Sequence, residues 1–355
     1  MTCAAIVSCS KSDIIYDDFQ QEIGFSVIAS NSTKSVAGYN GNTFDCVFPI
    51  DIDLYVFANA SNDAGTAWDA PYFQNAKFTH GSKGSEGTQG TPAVNTPGAY
   101  EGDPARYWPN VKTLKFAGYS DACGVSKTTA TMNFATNTLT IPSYTQDNSA
   151  TYSAEGENDL MWFPCDGTPY GKRADEIAAQ MKHACSWITI NVYGDDVTAT
   201  YTTGEGDDDE IHTGWTLKSL KVKSIYHTGN AVCGESTATW NTLSNEKDEF
   251  YYNGGTTFTE TATEYAAVAN NFIVIPQTPT SLDVTYTFVS DATNGLSLTE
   301  TKNIPLTLDG AAAWQSGYHY IYNIKITATE ILIDPYVEKW TPYDGNDIEK
   351  DTDEE

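Results

Sequence analysis

Near its start the chain runs Ile6-Val7-Ser8-Cys9 into the polar segment Ser10-Lys11-Ser12-Asp13. A small or apolar triplet ending on cysteine is the pattern a lipoprotein signal peptidase reads. Small residues fit that enzyme's site, and the Cys9 thiol then receives a diacylglyceryl group. At about 0.8 kcal/mol per buried CH₂, two or three acyl chains hold an exported protein at a membrane. The alternative is a cysteine placed by chance at a frayed terminus. A secretory signal carries a basic n-region and roughly 7–15 apolar residues. Here only Met1 to Ser8 precede Cys9, without lysine or arginine, so the lipoprotein reading expects a start upstream of Met1 or a trimmed chain.

The other reactive side chains form no catalytic pattern. His80, His183, His212, His227 and His319 show neither HxH nor HExxH spacing. There is no Gly-x-Ser-x-Gly elbow and no phosphate-binding loop. His183 is expected to be a satisfied core or edge histidine. The run Glu205-Gly206-Asp207-Asp208-Asp209-Glu210 offers the hard oxygens Ca²⁺ prefers, but it lacks the spaced ligands of a dedicated loop and reads as a solvated hairpin tip. No carboxylate pair for glycoside hydrolysis stands out among 47 acids. The eight Trp and 22 Tyr suit a glycan-binding face, or equally the cores and cross-strand pairs of sheets. Seven cysteines occur without a CxxC pair, which argues against zinc. Several lie in apolar runs, where the thiol is a small core filler, and one disulfide stays open. These residues predict no enzyme, no metal and no cofactor.

Positioning any site here falls to strands. The chain of 355 residues is long enough for about two domains, and its 40% apolar content supports a sizeable core. With 19 basic against 47 acidic residues the net charge is −28, which excludes nucleic acid as a partner. No apolar run approaches the roughly 18 residues of a membrane span. Short alternating segments broken by Gly, Asn, Asp and Pro, with much Thr and Tyr, predict an all-β protein of antiparallel sandwiches. Ile23, Phe25 and Val27 alternate in a first strand, followed by the polar loop Ser30 to Ser35. Ile50 to Phe57 is a second strand, and His80 to Gly102 reads as a long loop. Leu139–Pro142 and Asp159–Phe163 read as the last strands of a first domain, ending at the turn Cys165 to Gly171. Asp175 to Lys182 has helix-forming residues, yet Ile177, Ala179, Met181, His183 and Cys185 alternate, and after one slip so do Ile188, Ile190 and Val192; the residues alone leave helix and bulged strand open. Further strands are expected at Leu217–Ile225, Asn271–Ile275, Leu282–Phe288, Tyr318–Ala328 and Ile331–Val337. The acidic, apolar-poor stretch 344–355 is expected to be disordered.

Six segments resemble one family in order. They are Tyr107-Trp108-Pro109 with Leu114 to Ser120; Asp159-Leu160-Met161-Trp162; Ile177 to Val192 with His183-Ala184-Cys185-Ser186; Phe272 to Gln277; Trp314-x-x-Gly317-Tyr318-x-Tyr320; and Ile331-x-Ile333-x-Pro335-x-Val337-x-x-Trp340. Together they resemble the fimbrillins, the type V pilin subunits of Bacteroidales. The resemblance spans 107–340 and favours strand for Asp175–Lys182. It implies two transthyretin-like antiparallel β-sandwich domains with Greek-key connections. On that frame residues 1–9 are the truncated signal with its lipobox, 10–168 and 169–343 the two domains, and 344–355 the acidic tail.

The resemblance also implies a way of working. The precursor is carried to the outer membrane on the Cys9 lipid. A trypsin-like protease then cuts in the loop after the first strand. The strand bearing Ile23, Phe25 and Val27 departs, and an extended segment of another pilus subunit fills its groove by β-augmentation. Lys34, the basic residue of that loop, maps to the cleavage position; read by itself it is an ordinary solvated lysine. Ile331, Ile333 and Val337 map to the donor strand, with Pro335 suited to an edge; read by themselves they are the last strand of the second sandwich. The implied protein is a structural or accessory subunit of a cell-surface fimbria that supports adhesion. The alternative is a monomeric surface lipoprotein that binds glycan or host protein through its loops.

Overall fold

The computed structural model describes residues 21–28, 53–80, 100–121, 129–146, 159–194, 198–202, 208–212, 214–258, 266–289, 297–306, 313–326 and 331–339. Among them the chain forms strands and no helix. The earlier strands are β1 (Gly24–Ile28), β2 (Leu54–Ala60), β3 (Ala70–His80), β4 (Tyr100–Gly102), β5 (Leu114–Ser120), β6 (Thr131–Asn133), β7 (Thr138–Thr145), β8 (Met161–Phe163), β9 (Ile177–Gln180) and β10 (Lys182–His183). The later ones are β11 (Ser186–Gly194), β12 (Thr198–Thr202), β13 (Asp208–His212), β14 (Gly214–Cys233), β15 (Ala238–Phe258), β16 (Ala266–Val274), β17 (Ser281–Val289), β18 (Ser297–Pro305), β19 (Tyr318–Ile326) and β20 (Ile331–Lys339).

The all-β expectation holds. The first sheet has the order β10-β8-β5-β2-β3-β4-β1-β9. Its two ends meet in the sequence, since β9 and β10 are separated only by Met181. One segment therefore pairs with β1 through its first part and with β8 through its second, joining the sheet to itself. Alternation along this segment is clean: Ile177, Ala179, Met181 and His183 are buried, while Ala178 and Gln180 are exposed. Packing decides for strand over the local helix preference. The slip falls at Ala184-Cys185-Ser186, buried in succession ahead of Ile188, Ile190 and Val192.

Three cores result. Inside the first sheet lie Ile23, Phe25, Leu54, Val56, Phe78, Phe116 and Phe163. On its outer face Tyr55, Phe57, Tyr119 and Trp162 pack with Leu139, Ile141, Tyr144, Ala231 and Cys233. β2 is buried along its whole length because its even positions serve the first core and Tyr55 and Phe57 serve the second. Gly118 in β5 permits a close approach, since a Cβ there would lie 2.5 Å from the Phe163 ring and 2.6 Å from Tyr55 O. The third core joins β11, β16 and β19 to β14 and β17 through Ile188, Ile190, Leu217, Val222, Val284 and Tyr322.

β14 runs through both later cores. Its first half carries Leu217, Leu220, Val222 and Ile225 into the third, its second half Ala231 and Cys233 into the second. Register shifts after Leu217 and Val222 reset its phase, and Ser224 takes φ +57° at the second break. Sheet membership crosses the division expected at 168/169. β6 and β7 from before it join β14, while β9 and β10 from after it complete the first sheet. Two pairings within the mainly antiparallel sheets are parallel, β1 with β9 and β11 with β19. Tyr100–Gly102, expected to lie in a long loop, forms β4, because its backbone bridges β3 and β1. The rest of that loop, 81–99, lies outside the described residues.

Candidate functional site

The strand expected to leave is held between two others, β4 and β9. Ile23 and Phe25 have 0% exposure, and Val27 is half-buried against the same core. The Phe25 ring meets Phe78 edge-on at 5.0 Å, Phe116 edge-on at 5.4 Å and Phe163 at 5.8 Å. Such contacts between rings add to the burial itself. The backbone is held on both sides. Gly24 and Phe25 pair antiparallel with β4, and Phe25 to Ile28 pair parallel with β9. Ahead of β1, Ile23 N donates to Arg106 O at 2.7 Å and Trp108 N donates to Gln21 O at 2.9 Å. Removing 21–28 would leave a slot with unpaired backbone on both walls and an apolar floor.

The N-terminal end of this slot carries residues that the sequence alone assigns no binding role. Arg106 and Arg173 are the only arginines in the chain. Arg106 lies over the Phe73 ring at 5.8 Å and Arg173 over the Tyr170 ring at 5.8 Å. Both of these rings flank Phe116, at 6.2 and 6.1 Å, and Trp108 meets it edge-on at 5.8 Å. Arg106 Nε, Arg173 Nε and Trp108 Nε1 are buried donor atoms without a hydrogen-bond partner among the described residues; Trp108 is 5% exposed, whereas both arginine side chains are half-buried. The Arg173 guanidinium lies 3.6 Å from the exposed carboxylate of Asp175. The signal in the sequence was the scarcity of arginine in an acidic chain.

The other predicted residues fall as follows. Cys9 and Lys34 lie outside the described residues. Ile331, Ile333 and Val337 are in β20, an edge strand paired antiparallel with β19 alone. Pro335 stands opposite Tyr322 there, and an edge tolerates its missing N–H. Ile331 is half-buried against the third core.

The histidines are structural. His183 Nδ1 is 2.7 Å from Asp159 Oδ2 with both side chains buried, which ties β10 to the segment entering β8. The backbone there is clamped as well: Ser316 Oγ donates to His183 O at 2.6 Å and Trp240 Nε1 to Ala184 O at 2.7 Å. His227 Nε2 lies 3.0 Å from Glu249 Oε1. His319 stacks on Trp187 at 3.4 Å and sits 2.9 Å from Thr189 Oγ1. His80 and His212 are strand positions in β3 and β13. Of the acidic run, Asp208 to Glu210 pair with β12, and 205–207 lie outside the described residues.

Cys165, Cys185 and Cys233 are free and buried. Burial pushes the Cys185 and Cys233 thiols up, Cys185 further still beside Asp159. Among the described residues no group of three His, Cys, Asp or Glu could hold a metal. None of the described residues forms a helix long and apolar enough to cross a membrane.

The family model described as fimbrillin-like matches residues 49–340. No curated protein matches. A fimbrial protein from Bacteroides vulgatus ATCC 8482 is 16% identical, with a TM-score of 0.58 over 90% of this chain and 100% of its own. A candidate cell adhesion protein from Bacteroides uniformis ATCC 8492 gives 15% and 0.44 over 90% and 99%. Another from Bacteroides ovatus ATCC 8483 gives 13% and 0.48 over 92% and 99%. The first of these shows the shared fold. The family match extends upstream of the resembling motifs to take in β2, β3 and β4. The chain belongs to the fimbrillin-like family, whose members are structural proteins of cell-surface fimbriae rather than enzymes.

Proposed function

We propose that this chain is a fimbrial subunit that polymerises by exchanging β1 for a strand of its neighbour. Cys9 carries the lipid that holds the precursor at the outer membrane, and a trypsin-like protease cuts after Lys34. The strand with Ile23, Phe25 and Val27 then leaves with the lipid. An extended segment of the next subunit, Ile331 to Lys339 with Ile331, Ile333, Pro335 and Val337 at every second position, enters the slot. One observation carries this reading: β1 lies between two neighbours over an aromatic floor, so its departure creates unpaired walls and an apolar trough that only another extended strand satisfies. β20 is suited to donate because a single neighbour holds it.

Limited trypsin treatment of the lipidated precursor is expected to yield a new N-terminus at Ser35 and a ladder of polymers in detergent. The Lys34→Ala variant should stay monomeric. If it polymerises as well as the wild type, Lys34 is not the processing site. If no treatment yields a polymer and the mature protein on cells starts at Cys9, the chain is a monomeric lipoprotein or an anchor.

A further inference from the structure

Resting on the exchange reading, we infer that Arg106, Arg173 and Trp108 set the polarity of the inserted strand by binding the acidic segment 344–355 of the neighbouring copy. Backbone pairing leaves that polarity open. β1 has one antiparallel neighbour, β4, and one parallel neighbour, β9. A strand inserted either way round meets one of each, so the ladders on the two walls do not select a direction. The apolar pattern is equally indifferent. Ile23, Phe25 and Val27 repeat every second residue, as do Ile331, Ile333, Pro335 and Val337, and reversal preserves both series.

Charge breaks the tie. Arg106 and Trp108 belong to the segment that pairs with residues 21–23, at the N-terminal end of the slot. Arg173 precedes Ile177 by four residues, and Ile177 stands beside Phe25 in a parallel pair, which puts Arg173 toward the same end. Three buried donor atoms without acceptors among the described residues thus gather around one aromatic cluster, in a chain of net charge −28. The stretch following β20 carries seven carboxylates and one lysine between 344 and 355. Carboxylate is the acceptor that arginine pairs with best. The resident strand obeys the same rule: Asp13, Asp17, Asp18 and Glu22 precede Phe25, whereas Ala29 to Ser35 contains no acid. A donor whose acidic flank follows its apolar residues must therefore run opposite to the strand it replaces, antiparallel to β9.

Polarity is read by cross-linking whole precursors during trypsin-triggered polymerisation. A copy carrying Glu338→Cys is mixed with copies carrying Tyr107→Cys, at the arginine end, or Gln180→Cys, at the other end, and a short bismaleimide is added. Joining to Tyr107→Cys is expected, and joining to Gln180→Cys overturns the inference. Replacing both arginines (Arg106→Gln with Arg173→Gln) should slow polymer growth about tenfold, a difference that vanishes near ~1 M salt. A variant with Asp and Glu at 344–355 changed to Asn and Gln, both arginines kept, should show the same loss. Equal growth and unchanged polarity in both variants overturn the inference while exchange stands. Absence of any polymer from the wild type overturns the exchange reading, and this inference with it.

Discussion

β1 and β20 are strands of similar character held in opposite ways. β1 has neighbours on both sides and the Phe25 ring at 0% exposure; β20 has one neighbour and an open edge. In the first half, the sheet is joined to itself through the β9–β10 segment, and its other six strands each lie between two neighbours. In the second half, sheets end in open strands, β16 and β20 in one and β18 in another. The difference teaches that a strand's grip on the fold follows from its place in the sheet more than from its own residues. Withdrawing β1 leaves a vacancy between β4 and β9; withdrawing β20 leaves β19 as a new edge.

The largest expected effect tests that contrast directly. Phe25→Ala should destabilise the closed chain by about 3–5 kcal/mol, as truncation of a fully buried ring does. Ile331→Ala, half-buried at an edge, should cost about 1 kcal/mol. Urea midpoints of the two variants provide the measure, and equal losses would break the comparison. Next comes the seam where the first sheet meets itself. Asp159→Ala removes the carboxylate beside buried His183 and should cost about 3 kcal/mol, with weaker hydrogen-exchange protection in β8 and β10 before β19. Loss of protection in β19 first would place the weak point in the other half.

The smallest effect compares how tightly each half holds a phenol. Tyr170, near the slot, and Tyr286, in β17, are each pushed up to about 12, first by burial and then by hydrogen bonds to Asp166 and Glu300. Their hydroxyls stay protonated longer in the folded state than in the unfolded one. The stability they contribute is therefore complete below about pH 10 and fades as pH rises through about 12. Phenolate absorbance followed against pH should show both titrating late. If only one does, the half that titrates at the ordinary value is the looser.

Much of the fold was legible because alternation survives wherever one face meets a core. Ile23, Phe25 and Val27 announced β1, and the alternation from Ile177 to His183 outweighed helix-forming residues. Where strands lack that contrast they escaped notice. β15 is largely polar because it lies at an edge, and its pairing with β14 is interrupted by register shifts. β3 was missed although Phe73 and Phe78 are buried, since their spacing is odd and Asn75 between them takes φ +50°. The reach of β14 beyond Ile225 was hidden by small residues, Gly229 and Ala231, that fill its second core. At the candidate site the apolar strand was readable and the arginine end was not. Arg106 and Arg173 are 67 positions apart in sequence, and only the fold brings them to one cluster.

β14 gives the molecule a mechanical character. At about 3.3 Å per residue, its twenty residues form a rod of roughly 65 Å. It is packed at one end with the strands that carry β20 and at the other with the outer face of the first sheet. Tension applied between the slot and β20 would run along this rod and load its ladder hydrogen bonds in shear, many at once. In a filament built from such units, β14 would be the continuous element that carries load from one core of the subunit to the next.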